Sequence, residues 1–294
     1  MTVDTAYKSG KSEHDENFPV ASRIIAPRYR RPILAFYRFA RAADDAADHA
    51  SLDPSAKLAI LAALEDTLLG RSDAAADALP LRAELQSRNL SPQHALDLLR
   101  AFRQDVTKNR YANWAELIDY CRYSAMPVGR FVLDVHGEAK STWGPSDALC
   151  TALQIINHVQ DCGKDYRDLD RVYIPLDDMA RHGADVADLA RSRSSAQLLG
   201  CLRDVVVRTS DLLPEASHLP LHVADLRLSV ETSVIVGLAR ELITLLNTRD
   251  PLADPVHLSK ARAALIAGRA AASAIAARAT GKRAAYQAVR DDVA

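Results

Sequence analysis

Cysteine is scarce in this sequence, and its few cysteines do not form a metal-binding pattern. They are Cys121, Cys150, Cys162 and Cys201, with no C-x-x-C pair and no spacing typical of zinc ligands. Thiols in this arrangement are best explained as small apolar core residues in a reducing compartment. We therefore expect a cytoplasmic protein.

The chain also lacks a strong net charge, an apolar signal sequence and a long apolar run. A net charge of −1 and a pI of about 6.8 give no sign of a nucleic-acid partner. The N-terminal segment has no apolar core of the kind that signal peptides carry. The most apolar late stretch, 230–246, is interrupted by Glu231, Arg240 and Glu241, so we expect no membrane span.

Aromatic residues and alternating β-branched runs are scarce as well, whereas alanine is abundant. This composition favours helices, and 48% apolar residues suffice for a sizeable core. No repeat or composition break divides the chain. We predict an all-α fold with one domain over 17–285, and flexible tails at 1–16 and 286–294.

Prolines and capping residues predict where the helices begin and end. The start signals are Pro32, Asp53-Pro54, Ser91-Pro92, Asn113 with Glu116, Pro145 and Asp185. Gly183 predicts a helix end, and Pro127 predicts a kink within the helix that follows Asn113.

A first acidic motif lies at 37–48, which reads YRFARAADDAAD. Asp44 and Asp48 are four residues apart and share one helix face, with Asp45 on a neighbouring face. Like charges at this spacing destabilise an isolated helix, and a divalent cation is the simplest compensation. Oxygen ligands without nearby His or Cys favour Mg²⁺, and Arg41 could bind phosphate on the same stripe as Tyr37. The alternative is a solvated acidic face.

A second acidic motif lies at 157–165. Asn157, Asp161 and Asp165 share one helix face, and the apolar Leu153 and Ile156 precede them. A helix face that changes from apolar to acidic suits a cavity wall with metal-binding groups at its mouth. Two such motifs together indicate a site where Mg²⁺ stabilises a leaving diphosphate.

Three donors follow or interrupt the second motif. Arg171 and Tyr173 lie in the segment DRVYIP, and Lys164 lies between the two aspartates, so all three could contact a diphosphate. Arg171 has an alternative role as a helix C-terminal cap or as the partner of Asp168 or Asp170.

These motifs resemble those of the squalene/phytoene synthase family. The resemblance rests on DDAAD at 44–48 and NHVQDCGKD at 157–165, and covers about residues 17–280. Within the family, ENFPVAS at 16–22, YCRYSAMPVGR at 120–130 and QDCGKDYRDLDRVYIP at 160–175 are most similar to bacterial members of the hopanoid pathway.

The resemblance implies a helical isoprenoid-synthase fold around a deep central cavity. It assigns the metal–diphosphate cluster to Asp44, Asp45, Asp48, Asn157, Asp161 and Asp165. It assigns diphosphate binding to Arg41 and Arg171, to which the residue pattern adds Lys164 and Tyr173. It places Tyr37, Tyr120, Asn157 and Gln160 around the reacting centre.

The implied reaction converts presqualene diphosphate and water into hydroxysqualene and diphosphate with Mg²⁺. Separate enzymes would supply this substrate and reduce the alcohol, and the apolar substrate allows peripheral contact with the inner face of the membrane. We expect no use of NADPH. The missing G-x-G-x-x-G motif does not decide this, because squalene-forming relatives use NADPH without it.

Three departures from the family pattern leave a second activity open. Condensing members have a serine near Glu16, a tyrosine at the position of Arg122, and a glycine where this chain has Met126-Pro127. The departures disfavour head-to-head condensation of two prenyl diphosphates, but this reaction stays the alternative activity. A third and weaker alternative is a non-catalytic relative. Pro127 should also free the carbonyl of Tyr123, which could hold the capturing water; a plain kink is the alternative.

The cavity wall is harder to predict than its mouth. Val128, Phe131, Val132, Leu153 and Ile156 are candidates, but the same periodicity is typical of ordinary core residues.

Overall fold

The computed structural model describes residues 24–280, and this range forms an all-α fold. Thirteen α-helices and three short 3-10 helices occur in it, and its β structure is limited to one bridge between Arg110 and Val172. No helix in the range is long and apolar enough to cross a membrane. The predicted tails and the segment ENFPVAS lie outside the described residues, so the domain limits stay predictions.

The helices follow one another with short connections. They are α1 (Pro27–Asp48), α2 (Pro54–Leu68), α3 (Leu79–Arg88), α4 (Gln93–Thr107), α5 (Trp114–Ser124), α6 (Met126–His136), α7 (Trp143–Leu169), α8 (Leu176–His182), α9 (Ala196–Ser210), α10 (Leu213–Ala216), α11 (Leu219–His222), α12 (Leu226–Thr248) and α13 (Lys260–Ala279).

Several helix ends match the predicted caps, because capping depends on short-range hydrogen bonds. The Asp53 carboxylate accepts hydrogen bonds from the N–H groups of Ser55 and Ala56 at the start of α2. The Asn113 side chain accepts one from the N–H of Glu116, at 3.0 Å. Gly183 adopts a left-handed conformation, φ 66°, directly after α8, as its predicted stop requires.

The predicted start of α1 at Pro32 is wrong, because the helix begins five residues earlier at Pro27. Pro32 therefore lies inside the helix, where its ring displaces the hydrogen bond to the carbonyl of Arg28. That carbonyl accepts a hydrogen bond from Arg88 at 2.9 Å instead. A contact from a distant helix thus compensates for an internal proline.

Pro127 produces a break where a kink was expected. Helix α5 ends at Ser124, and α6 begins at Met126 with Pro127 in its first turn. Proline is well tolerated there, since its missing N–H would have no intrahelical partner. The break lets α5 and α6 point in different directions.

Helix α6 lies between the two helices that carry the acidic motifs. Phe36 of α1 stacks on Phe131 of α6 with 4.1 Å between ring centroids, and Tyr29 contacts His136, so these helices are antiparallel. Helices α6 and α7 are adjacent in the chain and also antiparallel. Their close approach depends on Gly129, because a Cβ there would clash with Ser146 Oγ. Helices α1 and α7 therefore run in the same direction.

Candidate active site

An apolar cavity of about 300 Å³ separates α1 from α7, with α6, α11 and α12 completing its wall. Helices α1 and α7 both pack on α6 and share no extensive contact with each other. The cavity is thus the gap that remains between two parallel helices held apart by a third. Its size is at the lower end of the range typical of ligand pockets.

One face of α1 supplies apolar wall residues and then carboxylates. Ile33, Tyr37 and Ala40 line the cavity. Asp44 and Asp48 continue this face toward the C-terminal end of the helix, at steps of four residues.

Helix α7 repeats the pattern. Its wall residues Cys150, Leu153 and Asn157 line the same cavity, and Asp161 and Asp165 follow at steps of four. Because α1 and α7 are parallel, their carboxylates lie at the same end of the cavity. The structure thus brings the two predicted motifs together.

Arg171, in the segment that follows the second motif, contacts the first motif directly. Its Nη1 lies 3.0 Å from the Asp48 carboxylate and donates to the hydroxyl of Tyr173 at 3.2 Å. Neither Asp168 nor Asp170 is its partner. Asp168 pairs with Lys164, and Asp170 pairs with Arg110. The alternative role of Arg171 as a local ion-pair partner is therefore wrong.

The segment after α7 holds Arg171 in this position. Asp170 ends the helix in a left-handed conformation, φ 50°, and turns the chain. The segment then runs parallel to residues 109–112, where the N–H of Val172 donates to the Asn109 carbonyl at 2.9 Å. Arg171 is only 6% exposed as a result.

Asp105 of α4 is a part of this site that the sequence analysis missed. It is buried, and its carboxylate accepts a hydrogen bond from the Tyr120 hydroxyl at 2.8 Å. Its backbone carbonyl accepts one from Arg171 at 3.1 Å. Burial raises the pKa of Asp105 to about 7 although Arg171 opposes the shift. The sequence did contain one indication that Asp105 is buried, because it lies at helical spacing from the apolar Leu98 and Ala101.

Aromatic rings support the buried side of Arg171. The ring of His158 stacks on Tyr173 with 3.5 Å between centroids, and Tyr120 and Tyr111 pack around them. Burial, and secondarily Arg171, lowers the pKa of His158 to about 3, so its ring stays neutral at physiological pH. A neutral ring avoids charge repulsion with Arg171.

The carboxylates at the mouth have unusual proton affinities. Burial and the nearby charge of Asp48 raise the pKa of Asp44 to about 7, although Arg41 opposes this shift. Burial and the charge of Asp161 raise the pKa of Asp165 to about 7 as well. Both carboxyl groups are therefore easier to protonate than an exposed aspartate, and a nearby cation would favour their charged forms.

This donor set fits Mg²⁺ shared with a diphosphate. Within residues 24–280, no three His, Cys, Asp or Glu side chains form a ready-made metal cluster. Mg²⁺ is usually bound through one or two carboxylates together with substrate phosphates, so a ready-made cluster is not required. Asp44 and Asp48 on one side and Asp161 and Asp165 on the other are suitable oxygen donors.

Arg41 and Asp45 form a local ion pair on α1. Arg41 Nε lies 3.2 Å from Asp45, and Arg41 Nη1 lies 3.1 Å from Asp44. Asp45 is buried, whereas the Asp44 and Asp48 side chains are mostly enclosed and keep about a third of their surface open at the mouth, 36% and 31%. Diphosphate binding by Arg41 and metal binding by Asp45 stay predictions.

Four other predicted residues differ in their surroundings. Lys164 is largely exposed, with its ammonium 3.6 Å from Asp168. Gln160 donates to the carbonyl of Val256, in the loop before α13. Tyr120 and Tyr173 are buried around Asp105, and neither borders the cavity. Tyr37 and Asn157 do line the cavity. Of the four residues predicted around the reacting centre, these two border it, whereas Tyr120 and Gln160 do not.

The predicted wall residues also divide into two groups. Val128, Val132 and Leu153 line the cavity. Phe131 and Ile156 are buried in the core, where Phe131 stacks on Phe36. For these two the ordinary core explanation is the right one, because helical periodicity does not separate cavity wall from core.

Comparisons with known proteins identify the family of the chain. The family model for squalene/phytoene synthase matches residues 11–265. Hydroxysqualene synthases of Rhodopseudomonas palustris and Zymomonas mobilis are 53% and 49% identical, over 96% and 91% of this chain and 97% and 91% of their own. A crystal structure of squalene synthase from Alicyclobacillus acidocaldarius is 33% identical, with a TM-score of 0.69 over 79% of this chain and 88% of its own. The chain belongs to the squalene/phytoene synthase family.

Proposed function

We propose that the chain is an enzyme that converts presqualene diphosphate and water into hydroxysqualene and diphosphate. The observation that carries this proposal is the arrangement of the cavity, which is apolar along its length and has carboxylates from two parallel helices at one end. The relatives that are 49–54% identical over most of the chain are named hydroxysqualene synthase, which favours this member of the family's reactions.

Each part of the site has a role in this reaction. Asp44, Asp48, Asp161 and Asp165 would hold Mg²⁺, which stabilises the negative charge on the leaving diphosphate. Arg171 would bind a diphosphate oxygen, since a guanidinium offers several donors in a fixed plane. Its ion pair with Asp48 fixes the guanidinium before substrate arrives.

Loss of the diphosphate would leave a carbocation, and the cavity wall would determine how this carbocation reacts. Tyr37 and Asn157 border it where its wall changes from apolar to acidic, so they would lie next to the ionised carbon. The other wall residues are mostly apolar and exclude bulk water, which restricts capture to ordered water molecules.

Head-to-head condensation of two prenyl diphosphates is the second candidate. Phytoene synthases of plants are related at lower identity, for example 33% over 60% of this chain. One departure from the condensing pattern carries less weight than the sequence suggested. Arg122 is exposed and pairs with Asp119 at 3.6 Å, so it does not reach the cavity.

Product analysis with purified protein distinguishes the two activities. The protein is incubated with Mg²⁺ and presqualene diphosphate, with and without NADPH, and separately with farnesyl diphosphate alone. We expect hydroxysqualene from presqualene diphosphate, in equal amount in the two NADPH conditions, and little turnover of farnesyl diphosphate. Rapid condensation of farnesyl diphosphate would instead establish the second activity.

The reaction also implies partners. Another enzyme must supply presqualene diphosphate, and a reducing enzyme must remove the hydroxyl group if squalene and hopanoids are the end products. The hydrocarbon chains of presqualene diphosphate and hydroxysqualene are long and apolar, so we propose peripheral membrane contact during transfer.

A further inference from the structure

Lys57 is a cation near the mouth of the cavity that neither acidic motif contains. It lies in the first turn of α2, where its backbone N–H donates to the Asp53 carbonyl at 3.1 Å. Residues 49–53 alone connect α1 to α2, and the two helices pack on each other. The start of α2 therefore lies beside the end of α1 that carries Asp48.

Contacts with α4 place the same part of α2 near Arg171. Arg103 of α4 donates to the Leu61 carbonyl of α2 at 3.5 Å, and Lys57 lies one helical turn before Leu61. Asp105, two residues after Arg103, accepts a hydrogen bond from Arg171 through its backbone carbonyl at 3.1 Å. Helices α2 and α4 are thus adjacent at the level of the Arg171 side chain.

The charges around Lys57 agree with this placement. Lys57 is partly buried, and burial lowers the pKa of its ammonium. The charge of Asp48 opposes this shift, and the charge of Arg171 adds to it. Because charges near solvent are largely screened beyond about 10 Å, the ammonium lies within that range of both members of the Arg171–Asp48 pair.

Lys57 differs from the three cations predicted to bind diphosphate, because each of those already has an aspartate partner. The pairs are Arg41 with Asp44 and Asp45, Lys164 with Asp168, and Arg171 with Asp48. Within residues 24–280, Lys57 forms no such ion pair. The positive end of the helix dipole lies in the same turn, so a cation there is unfavourable without an anion. An anion bound at the mouth would supply the missing partner.

We propose that Lys57 is a further diphosphate-binding residue, whose ammonium contacts a phosphate oxygen beside Arg171. During ionisation the C–O bond to the diphosphate breaks, both electrons stay on the leaving oxygen, and the carbon becomes positive. An ammonium that no carboxylate neutralises stabilises the added negative charge, and no proton moves. The inference rests on the diphosphate site of the proposed function, although both candidate activities would use it, because each ionises a diphosphate.

Lys57→Met tests the proposal, since it keeps an unbranched apolar stem and removes the charge. We expect the Kd of inorganic diphosphate with Mg²⁺, measured by titration calorimetry, to rise about 10-fold, the lower end for a charged hydrogen bond because the site is partly exposed. The value of kcat/KM for presqualene diphosphate should fall by a similar factor. Lys57→Arg should retain most of the affinity, because a guanidinium also binds phosphate.

Lys140→Met is the matched control. Lys140 is an exposed lysine that contacts Trp143 at the opposite end of α7 from the acidic motif. Its replacement should leave the affinity for inorganic diphosphate unchanged. Lys57→Gln serves as a second charge-free variant if methionine at position 57 lowers solubility.

Two results would overturn the proposal. One is that the charge-free variants bind inorganic diphosphate as tightly as the unaltered protein. The other is that Lys57→Arg loses as much affinity as Lys57→Met, which would indicate a structural role for the lysine stem. Inorganic diphosphate has no prenyl chain, so its binding does not depend on the reaction. Failure of the unaltered protein to form hydroxysqualene would therefore refute the proposed function alone.

Discussion

The guanidinium of Arg171 lies 3.0 Å from the carboxylate of Asp48 and joins the segment after α7 to the end of α1. These residues are far apart in the chain, and helices α1 and α7 have little direct contact. The pair therefore links the first acidic motif to the segment that follows the second one.

Replacement of Arg171 should weaken catalysis more than folding. We expect Arg171→Ala to lower kcat/KM for presqualene diphosphate about 10- to 100-fold, because a hydrogen bond to a charged group contributes about 1.5–3 kcal/mol. Steady-state kinetics of diphosphate release measure this loss. Arg122→Ala is the control, since Arg122 is exposed and pairs only with Asp119. An equal loss in both variants would contradict a role for Arg171 at the site.

Asp161 should be essential for ionisation of the substrate. Asp161→Asn keeps the size of the side chain and removes a charge beside Asp165, so we expect diphosphate release to fall more than about 100-fold, a barrier change of about 2.7 kcal/mol. Asp168→Asn changes an exposed residue of the same helix that pairs with Lys164, and it should remain active. Near-normal turnover by Asp161→Asn would count against both proposed activities.

The stability of the protein without metal should fall as pH rises. The pKa values of Asp44 and Asp165 are raised from 3.8 to about 7 in the folded state. Groups with a raised pKa favour the folded state fully below the unfolded pKa, and this contribution is lost as pH increases through about 7. Thermal melts in a chelator between pH 5 and pH 8 should show a declining Tm.

Mg²⁺ should reverse this decline, because it compensates the same negative charge. The increase in Tm that Mg²⁺ causes should therefore be larger at pH 8 than at pH 6. Double substitution of Asp44 and Asp165 by Asn should remove most of this difference. A Mg²⁺ effect that is the same at both pH values would disprove the charge argument.

Substitutions of Asp105 test whether the buried hydrogen bonds around Tyr120 need a charged group or only a hydrogen-bond acceptor. Asp105→Asn retains an oxygen that can accept from Tyr120, so we expect little loss of stability at pH 8. Asp105→Ala leaves the buried Tyr120 hydroxyl without its acceptor and should cost about 1–3 kcal/mol. Urea denaturation of both variants measures the difference. Equal stabilities would mean that the Tyr120 contact contributes nothing.

The sequence predicted those features that depend on neighbouring residues. The caps at Asp53 and Asn113 and the stop at Gly183 are local, and all three occur where the pattern predicted them. The two acidic faces were also visible, since helical spacing alone aligns Asp44 with Asp48 and Asp161 with Asp165.

The features that the sequence did not reveal depend on contacts between distant residues. Pro32 is accepted inside α1 because Arg88 bonds the carbonyl that it frees. Asp105 and Glu231 are single acidic residues on otherwise apolar helix faces, and only the packing of other helices buries them. Val128 and Phe131 have the same periodicity, yet only the former borders the cavity.

The parallel course of α1 and α7 has an electrostatic consequence of its own. Both helices direct their C-terminal ends toward the mouth of the cavity, and each end carries about half a negative charge from its aligned peptide dipoles. This backbone contribution adds to the aspartates, so an anion arriving alone would be repelled. A diphosphate whose charge is already neutralised would be admitted, and after ionisation the same field would hold the positive carbon close to the group it has just left.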